Sequence, residues 1–271
     1  MKVLLTGSGA WGKNYITTIN NLFPQHNLIV ANRYNWKSLI DEMPDAVIVA
    51  TPPQSHVEIA SYALEKNIAT MIEKPLALSL KEAKTLEKYS STPILINHIH
   101  LFSLGYEKIK KYCNNNAINY ISSCNVGHSY HENCSPLWDY GVHELAMFLD
   151  LIDEMPQSIN VQTDNHKIFT LDLEFNNSKA HTFTGYDQSM SKHRIINVEV
   201  DGIIISYDDL QRPLSHSQPL SNALGVFFNA ILYKNSLGSV GSYDSRMGLD
   251  LSFKILDVLE KCENILTNKN K

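Results

Sequence analysis

Short apolar runs alternate with amphipathic stretches through the first hundred residues of the chain. The runs lie at 2–6, 27–31, 46–50, 68–72 and 93–97. Between them, apolar residues recur at helical spacing over about 10–22, 36–43, 54–66 and 79–90. Short buried strands separated by helices predict a parallel, doubly wound sheet, because parallel strands need crossover connections. In such sheets ligands bind outside the carboxyl ends of the strands. The segments beginning at Gly7, Asn32, Thr51, Lys74 and Asn97 all follow strand ends, so they crowd one edge of the predicted sheet.

The pattern then changes. A strand is predicted from Ile118 to Val126, then a polar loop, then a helix from Asp139 to Ile152. Longer strands follow at 158–163, 167–175, 179–185, 192–199 and 202–207, with turn signals at Asn176-Asn177 and Asp201-Gly202. Consecutive strands joined by turns pair antiparallel. Helical stretches at about 220–233 and 245–264 close the pattern. The whole predicts an α/β protein with two domains, 1–115 and 116–271, divided in the polar Asn114-Asn115-Asn116. One face of the second sheet needs cover, and the alternating Phe169, Leu171, Leu173 and Phe175 are expected to supply a homodimer or homotetramer interface.

Composition narrows the function classes. A net charge of −5 and a pI near 6.1 leave no basic footprint for nucleic acid. No apolar run approaches the ~18 residues that would cross a bilayer, so no membrane partner is expected. The four cysteines form no CxxC pair, which points to a reducing, cytoplasmic setting. His128, His131 and Cys134 have ligand-type spacing, but no second cluster matches them, and no metal is expected.

The opening segment carries the most specific chemistry. The strand Val3–Leu5 runs into Gly7-x-Gly9-x-x-Gly12, and a helix follows. Gly7 permits the tight turn, Gly9 a close approach of the backbone to a pyrophosphate, and Gly12 close helix–strand packing. Ser8, Ala10 and Trp11 complete this candidate dinucleotide-binding turn. An acidic ribose ligand is expected at the end of the second strand, but Asn32-Arg33 stands there. Arg33 can pair with a 2′-phosphate, so NADP(H) is favoured and NAD(H) remains possible. Thr51, Pro52 and His56 form a stiff polar loop expected to touch the cofactor. Glu73-Lys74-Pro75 ends the fourth strand, and Lys74 can donate to a substrate oxygen. Asp139 and His143 stand four apart on one helical face, and His143 can exchange a proton near neutrality.

Taken together and in order, Gly7/Gly9/Gly12, Thr51-Pro52…His56, Glu73-Lys74-Pro75 and Asp139-Tyr140-Gly141-Val142-His143 resemble the glucose–fructose oxidoreductase/inositol dehydrogenase (Gfo/Idh/MocA) family. The resemblance implies an N-terminal Rossmann domain followed by an α/β domain whose mostly antiparallel open sheet often mediates oligomerisation. It also implies a pyridine-nucleotide oxidoreductase acting on a sugar, nucleotide sugar or cyclitol. Lys74, Asp139 and His143 are then the substrate-side catalytic set, while Glu73 and Lys74 also belong to the cofactor edge. Two alternatives stay open: a non-catalytic dinucleotide-binding sensor, and a redox-assisted lyase or glycosidase of the same family. The chain departs from the family pattern at Ser135-Pro136-Leu137-Trp138, where two glycines often stand, and at Asn97-His98-Ile99-His100.

Overall fold

A computed structural model describes residues 1–114, 116–128, 134–208, 217–237 and 244–269. Its elements run β1 (Lys2–Thr6), α1 (Ala10–Leu22), β2 (Asn27–Ala31), α2 (Trp36–Asp41), β3 (Ala46–Val49), α3 (His56–Leu64), β4 (Ala69–Glu73), α4 (Leu80–Ala83) and β5 (Ile94–Asn97). There follow α5 (Leu104–Cys113), β6 (Ile118–Gly127), α6 (Val142–Ile152), β7 (Ser158–Asp164), β8 (Ile168–Glu174), β9 (Lys179–Tyr186), β10 (His193–Val200), β11 (Ile203–Asp208), α7 (Ser217–Leu237) and α8 (Asp250–Lys269).

The chain divides into two compact units, Met1–Phe102 with Leu214–Phe253, and Ser103–Pro213 with Lys254–Lys271. Each unit is thus built from two stretches of chain, whereas the sequence reading draws one boundary at 115/116. The reason lies in α7, whose Leu220, Ala223, Leu224, Phe227 and Ile231 repeat at helical spacing and are buried. Phe228 meets the rings of Phe23 and His26 at 5.3 and 4.6 Å, and Asn222 donates to the Phe102 carbonyl. No local signal in the chain marks this return to the first unit.

The first unit holds a five-stranded parallel sheet in the order β2-β1-β3-β4-β5. Its central strands β3 and β4 are buried along their whole length, which is why they read as unbroken apolar runs. The expected helix at 79–90 is shorter. It is α4, capped by the Ser79 hydroxyl, running into a 3₁₀ stretch at Lys84–Tyr89. Helix α5 was not among the expected elements. Its signal was present: Ser103 caps the Tyr106 amide, and Tyr106, Ile109 and Cys113 recur on the buried face.

The second unit holds a six-stranded sheet, order β11-β10-β6-β9-β8-β7. Every pair is antiparallel except β6 with β9. Asp201 and Gly202 both take positive φ, as a type I′ hairpin requires, and Asn165-His166 makes a second such turn between β7 and β8. Phe169, Leu171, Leu173 and Phe175, expected at an interface, are instead buried within the unit. Phe169, Leu171 and Leu173 pair across the ladder with Thr184, Thr182 and Ala180, and Thr184 faces Gly141 in the turn that leads into α6. Facing pairs share one side of a sheet, so these apolar residues form the unit's own core and are 0–3 % exposed. The opposite side carries half-buried Ser122, Cys124, Thr170, Asp172, His181, Phe183 and Asn197. Among the described residues, no helix is long and apolar enough to cross a membrane.

Candidate active site

Gly7 has φ +94°, and a Cβ there would strike the Ala50 carbonyl; one on Gly12 would strike the Gly7 carbonyl. At Gly9 the space is open. Gly7 and Gly12 are thus held by close backbone contacts, and a side chain is tolerated sterically only at the middle glycine. Helix α1 begins at this turn with no side-chain cap and no acid in its first turn. Its leading N–H groups and the positive end of its dipole are left for an anion. Ser8, Gly9 and Ala10 are exposed, and Trp11 is half-buried. This cradle fits the pyrophosphate of a dinucleotide.

The end of β2 carries no carboxylate. Asn32 folds onto its own loop, its Oδ1 accepting from the amides of Tyr34 and Asn35. Arg33 is exposed, with its guanidinium 5.0 Å from the centre of the Tyr34 ring. The loop after β3 presents exposed Pro52 and half-buried Thr51, whose Oγ1 accepts from the Ser55 hydroxyl. His56 behaves differently from its neighbours. Its ring is fully buried, with Nδ1 2.8 Å from the Pro75 carbonyl and Nε2 2.7 Å from that of Thr51. Burial and the nearby Lys74 charge lower its pKa, against the pull of the two carbonyls. Its ring clips the loop after β3 to the segment after β4 and is not presented to a ligand.

Glu73 is likewise turned inward. Its Oε1 accepts from the Tyr15 hydroxyl at 2.6 Å and Asn97 Nδ2 at 2.7 Å. Its Oε2 accepts from the Trp11 indole at 2.8 Å and the Lys74 amide at 3.3 Å. Burial pushes this carboxyl up despite those donors, and drives the Tyr15 phenol well above its ordinary value. The sequence places Asn97 at the sheet edge without a role and gives Tyr15 none, although Tyr15 stands one helical turn after Trp11 on the same face. Lys74 is half-buried, and its peptide bond to Pro75 is cis. His98, beyond β5, is buried against the Ser252 hydroxyl, and burial and the Lys74 charge hold its pKa at about 3.

Asp139 and His143 belong to the second unit. Residues Leu137–Gly141 form a π-helical turn that runs into α6, so Asp139 sits in a widened turn and His143 at the start of a regular helix. Ser135-Pro136-Leu137-Trp138 supplies the start of that turn. The Ser135 carbonyl accepts from the Trp138 and Asp139 amides, and the Trp138 indole donates to Glu263 on α8 at 2.7 Å. Gly127 packs directly beside it, where a Cβ would meet the outer end of the Tyr140 ring. His128 Nε2 lies 2.8 Å from the Met190 carbonyl, and His131 lies outside the described residues. No group of three His, Cys, Asp or Glu side chains that could hold a metal occurs among the described residues.

Glu144, next to His143, is buried against the polar row Ser123, Asn125 and Arg194. Burial lifts its carboxyl from the ordinary 4.5 to about 7, against the pull of those three. A carboxyl raised in the fold stabilises it at low pH, and that contribution is lost as pH rises from 4.5 through about 7. At ~1.36 kcal/mol per decade of acidity the loss is on the order of 3 kcal/mol. Glu144→Gln is neutral at every pH, so its stability relative to the parent is expected to rise by a few kcal/mol between pH 5 and pH 8. Urea melts at the two pH values check this, and a constant difference contradicts it.

Residues 29–92 match the sequence profile of the Gfo/Idh/MocA family, described as an oxidoreductase family with an NAD-binding Rossmann fold. Oxidoreductase P35 from Formosa agariphila is 32% identical over 107 residues, and the match spans 35% of this chain and a third of that protein's length. A candidate oxidoreductase from Magnetospirillum magnetotacticum MS-1 has the same fold at 25% identity, with a TM-score of 0.81 over 97% of this chain and 99% of the other. Scyllo-inositol dehydrogenase from Lactobacillus casei, solved with NAD(H) and scyllo-inositol, superposes with a TM-score of 0.79 at 10% identity. That likeness covers 97% of this chain and 96% of the other.

Proposed function

We propose that this chain, which belongs to the Gfo/Idh/MocA oxidoreductase family, passes a hydride between a nicotinamide dinucleotide and a secondary alcohol or ketone of a sugar, nucleotide sugar or cyclitol. The observation that carries the reading is the glycine cradle at the uncapped start of α1, in the same unit as the strand end that bears Lys74. The bound nicotinamide supplies or takes up the hydride. His143 removes the hydroxyl proton, and Lys74 donates a hydrogen bond to the oxygen and steadies the developing alkoxide. Asp139 orients His143 or binds a neighbouring hydroxyl. The backbone of Gly7 to Gly12 holds the pyrophosphate, and Thr51 and Pro52 line the same edge. Incubation with oxidised or reduced cofactor and a panel of polyols, followed by near-ultraviolet absorbance, tests the reading. Bound cofactor that no member of the panel oxidises or reduces would favour a sensor.

The cofactor is NADP(H) in this reading, because exposed Arg33 stands where a ribose-binding carboxylate would repel a 2′-phosphate. NADPH is expected to bind more tightly than NADH. Arg33→Ala is expected to weaken NADPH by about 1–3 kcal/mol, the worth of a charge-assisted hydrogen bond, with NADH little changed. Calorimetric titration of both cofactors decides it, and NADH as the tighter ligand would sink the assignment. A homo-oligomer formed through the half-buried open side of the second sheet completes the proposal, in the cytoplasmic setting that four free cysteines fit.

A further inference from the structure

We propose that Glu73 is a positioning residue: through the indole of Trp11 it holds the glycine-rich turn to the strand end that bears Lys74. A carboxylate that does not touch the dinucleotide thereby sets how tightly the pyrophosphate is bound. The inference rests on the dinucleotide reading above and deepens it.

Three elements meet at this one buried carboxylate, which is 3 % exposed. Trp11 and Tyr15 reach it from successive turns of α1, Asn97 from the end of β5, and the Lys74 amide from its own strand. Asn97 Nδ2 also donates to the Tyr15 hydroxyl at 2.9 Å, closing a triangle around Oε1. Charge-assisted bonds of 2.6–2.8 Å are among the stronger ones a protein makes. Their placement matters more than their number. Trp11 lies inside the Gly7–Gly12 turn, whose residues Ser8 to Ala10 are exposed and whose helix has no side-chain cap. Its indole is therefore a strut from the exposed turn into the sheet. Tyr15 bonds the other oxygen of the same carboxylate from a site one turn deeper, beyond the cradle.

The two aromatic residues make the test. Trp11→Phe and Tyr15→Phe each remove one hydrogen bond to Glu73 and keep an aromatic ring. Loss of the strut is expected to weaken dinucleotide binding about three- to tenfold, the value of one such bond. Amide exchange at residues 8–12 should quicken in the cofactor-free protein. Tyr15→Phe is expected to lower the thermal midpoint while leaving dinucleotide affinity within about twofold and exchange in the turn unchanged. Equal losses of affinity in both variants would reduce Glu73 to a hub of the fold and overturn the proposal. Unchanged affinity and exchange in Trp11→Phe would overturn it as well. A parent protein that binds neither NADH nor NADPH would instead remove the functional reading on which the affinity arm stands, while the exchange arm still reports whether the strut holds the turn.

Discussion

Lys74→Ala and His143→Ala are each expected to lower kcat about 100- to 10,000-fold, the range that loss of general acid–base catalysis covers. The basis is chemical complementarity. An imidazole can take and return a proton, and an ammonium group can hold the oxygen as charge develops on it. His98 cannot stand in for His143, because at a pKa of about 3 it stays neutral throughout the working range. His56 cannot either, since main-chain carbonyls occupy both its ring nitrogens. Dinucleotide affinity should change little in His143→Ala, because the proposed role of His143 is toward the substrate hydroxyl and that of the Gly7–Gly12 backbone toward the pyrophosphate. Steady-state kinetics on a converted polyol, paired with cofactor titration, checks both halves. A His143→Ala variant with undiminished turnover would remove the mechanism.

The second large effect is expected at the glycines. In Gly12→Ala the new methyl group would fall on the Gly7 carbonyl, so the turn must open or α1 must shift. Gly7→Ala adds a positive φ that L residues rarely adopt and a collision with the Ala50 carbonyl. In both variants the neighbour is backbone and cannot rotate away. Dinucleotide affinity should fall by more than about a hundredfold, the equivalent of roughly 3 kcal/mol, and stability with it. Gly9→Ala is the comparison, because its Cβ meets no atom of the described residues within 4 Å. It should fold normally and lose affinity only by crowding the phosphates. Calorimetry together with thermal melts separates the two behaviours. A Gly12→Ala protein that keeps both its melting point and its affinity contradicts the reading.

The parts of the fold that the chain announces are those governed by local rules. Parallel strands buried on both faces appear as unbroken apolar runs, and β1 to β5 fall within a residue or two of their expected places. The Asp201-Gly202 hairpin follows from backbone conformation alone. What stayed hidden depends on distant partners. Nothing near residue 220 says that α7 packs on Phe23 and His26. Nothing near residue 169 says which side of the sheet the helix covers, and so the alternating phenylalanines and leucines could be read as an interface. The candidate site divides in the same way. Backbone-driven features such as the glycine turn are visible as a motif. The inward turn of Glu73 and His56 is decided by Tyr15, Asn97 and the Pro75 carbonyl, each many positions away.

The split construction of the first unit has a consequence for biosynthesis. Strand β5 lies at the end of its sheet, and its outer side is met by Gly248, whose amide donates to the Ile94 carbonyl. While the chain is being made, the five strands are translated long before residue 248. At ~5–20 residues per second, the ribosome needs on the order of ten seconds to reach it. Through that interval the nascent β5 presents an unpaired edge, the kind of surface that recruits other strands. The α7 stripe that covers Phe23 is missing for nearly as long. Newly made protein should therefore depend on chaperone shelter more than its size suggests, and a stop codon placed between residues 115 and 213 should give insoluble product, not a free dinucleotide-binding domain.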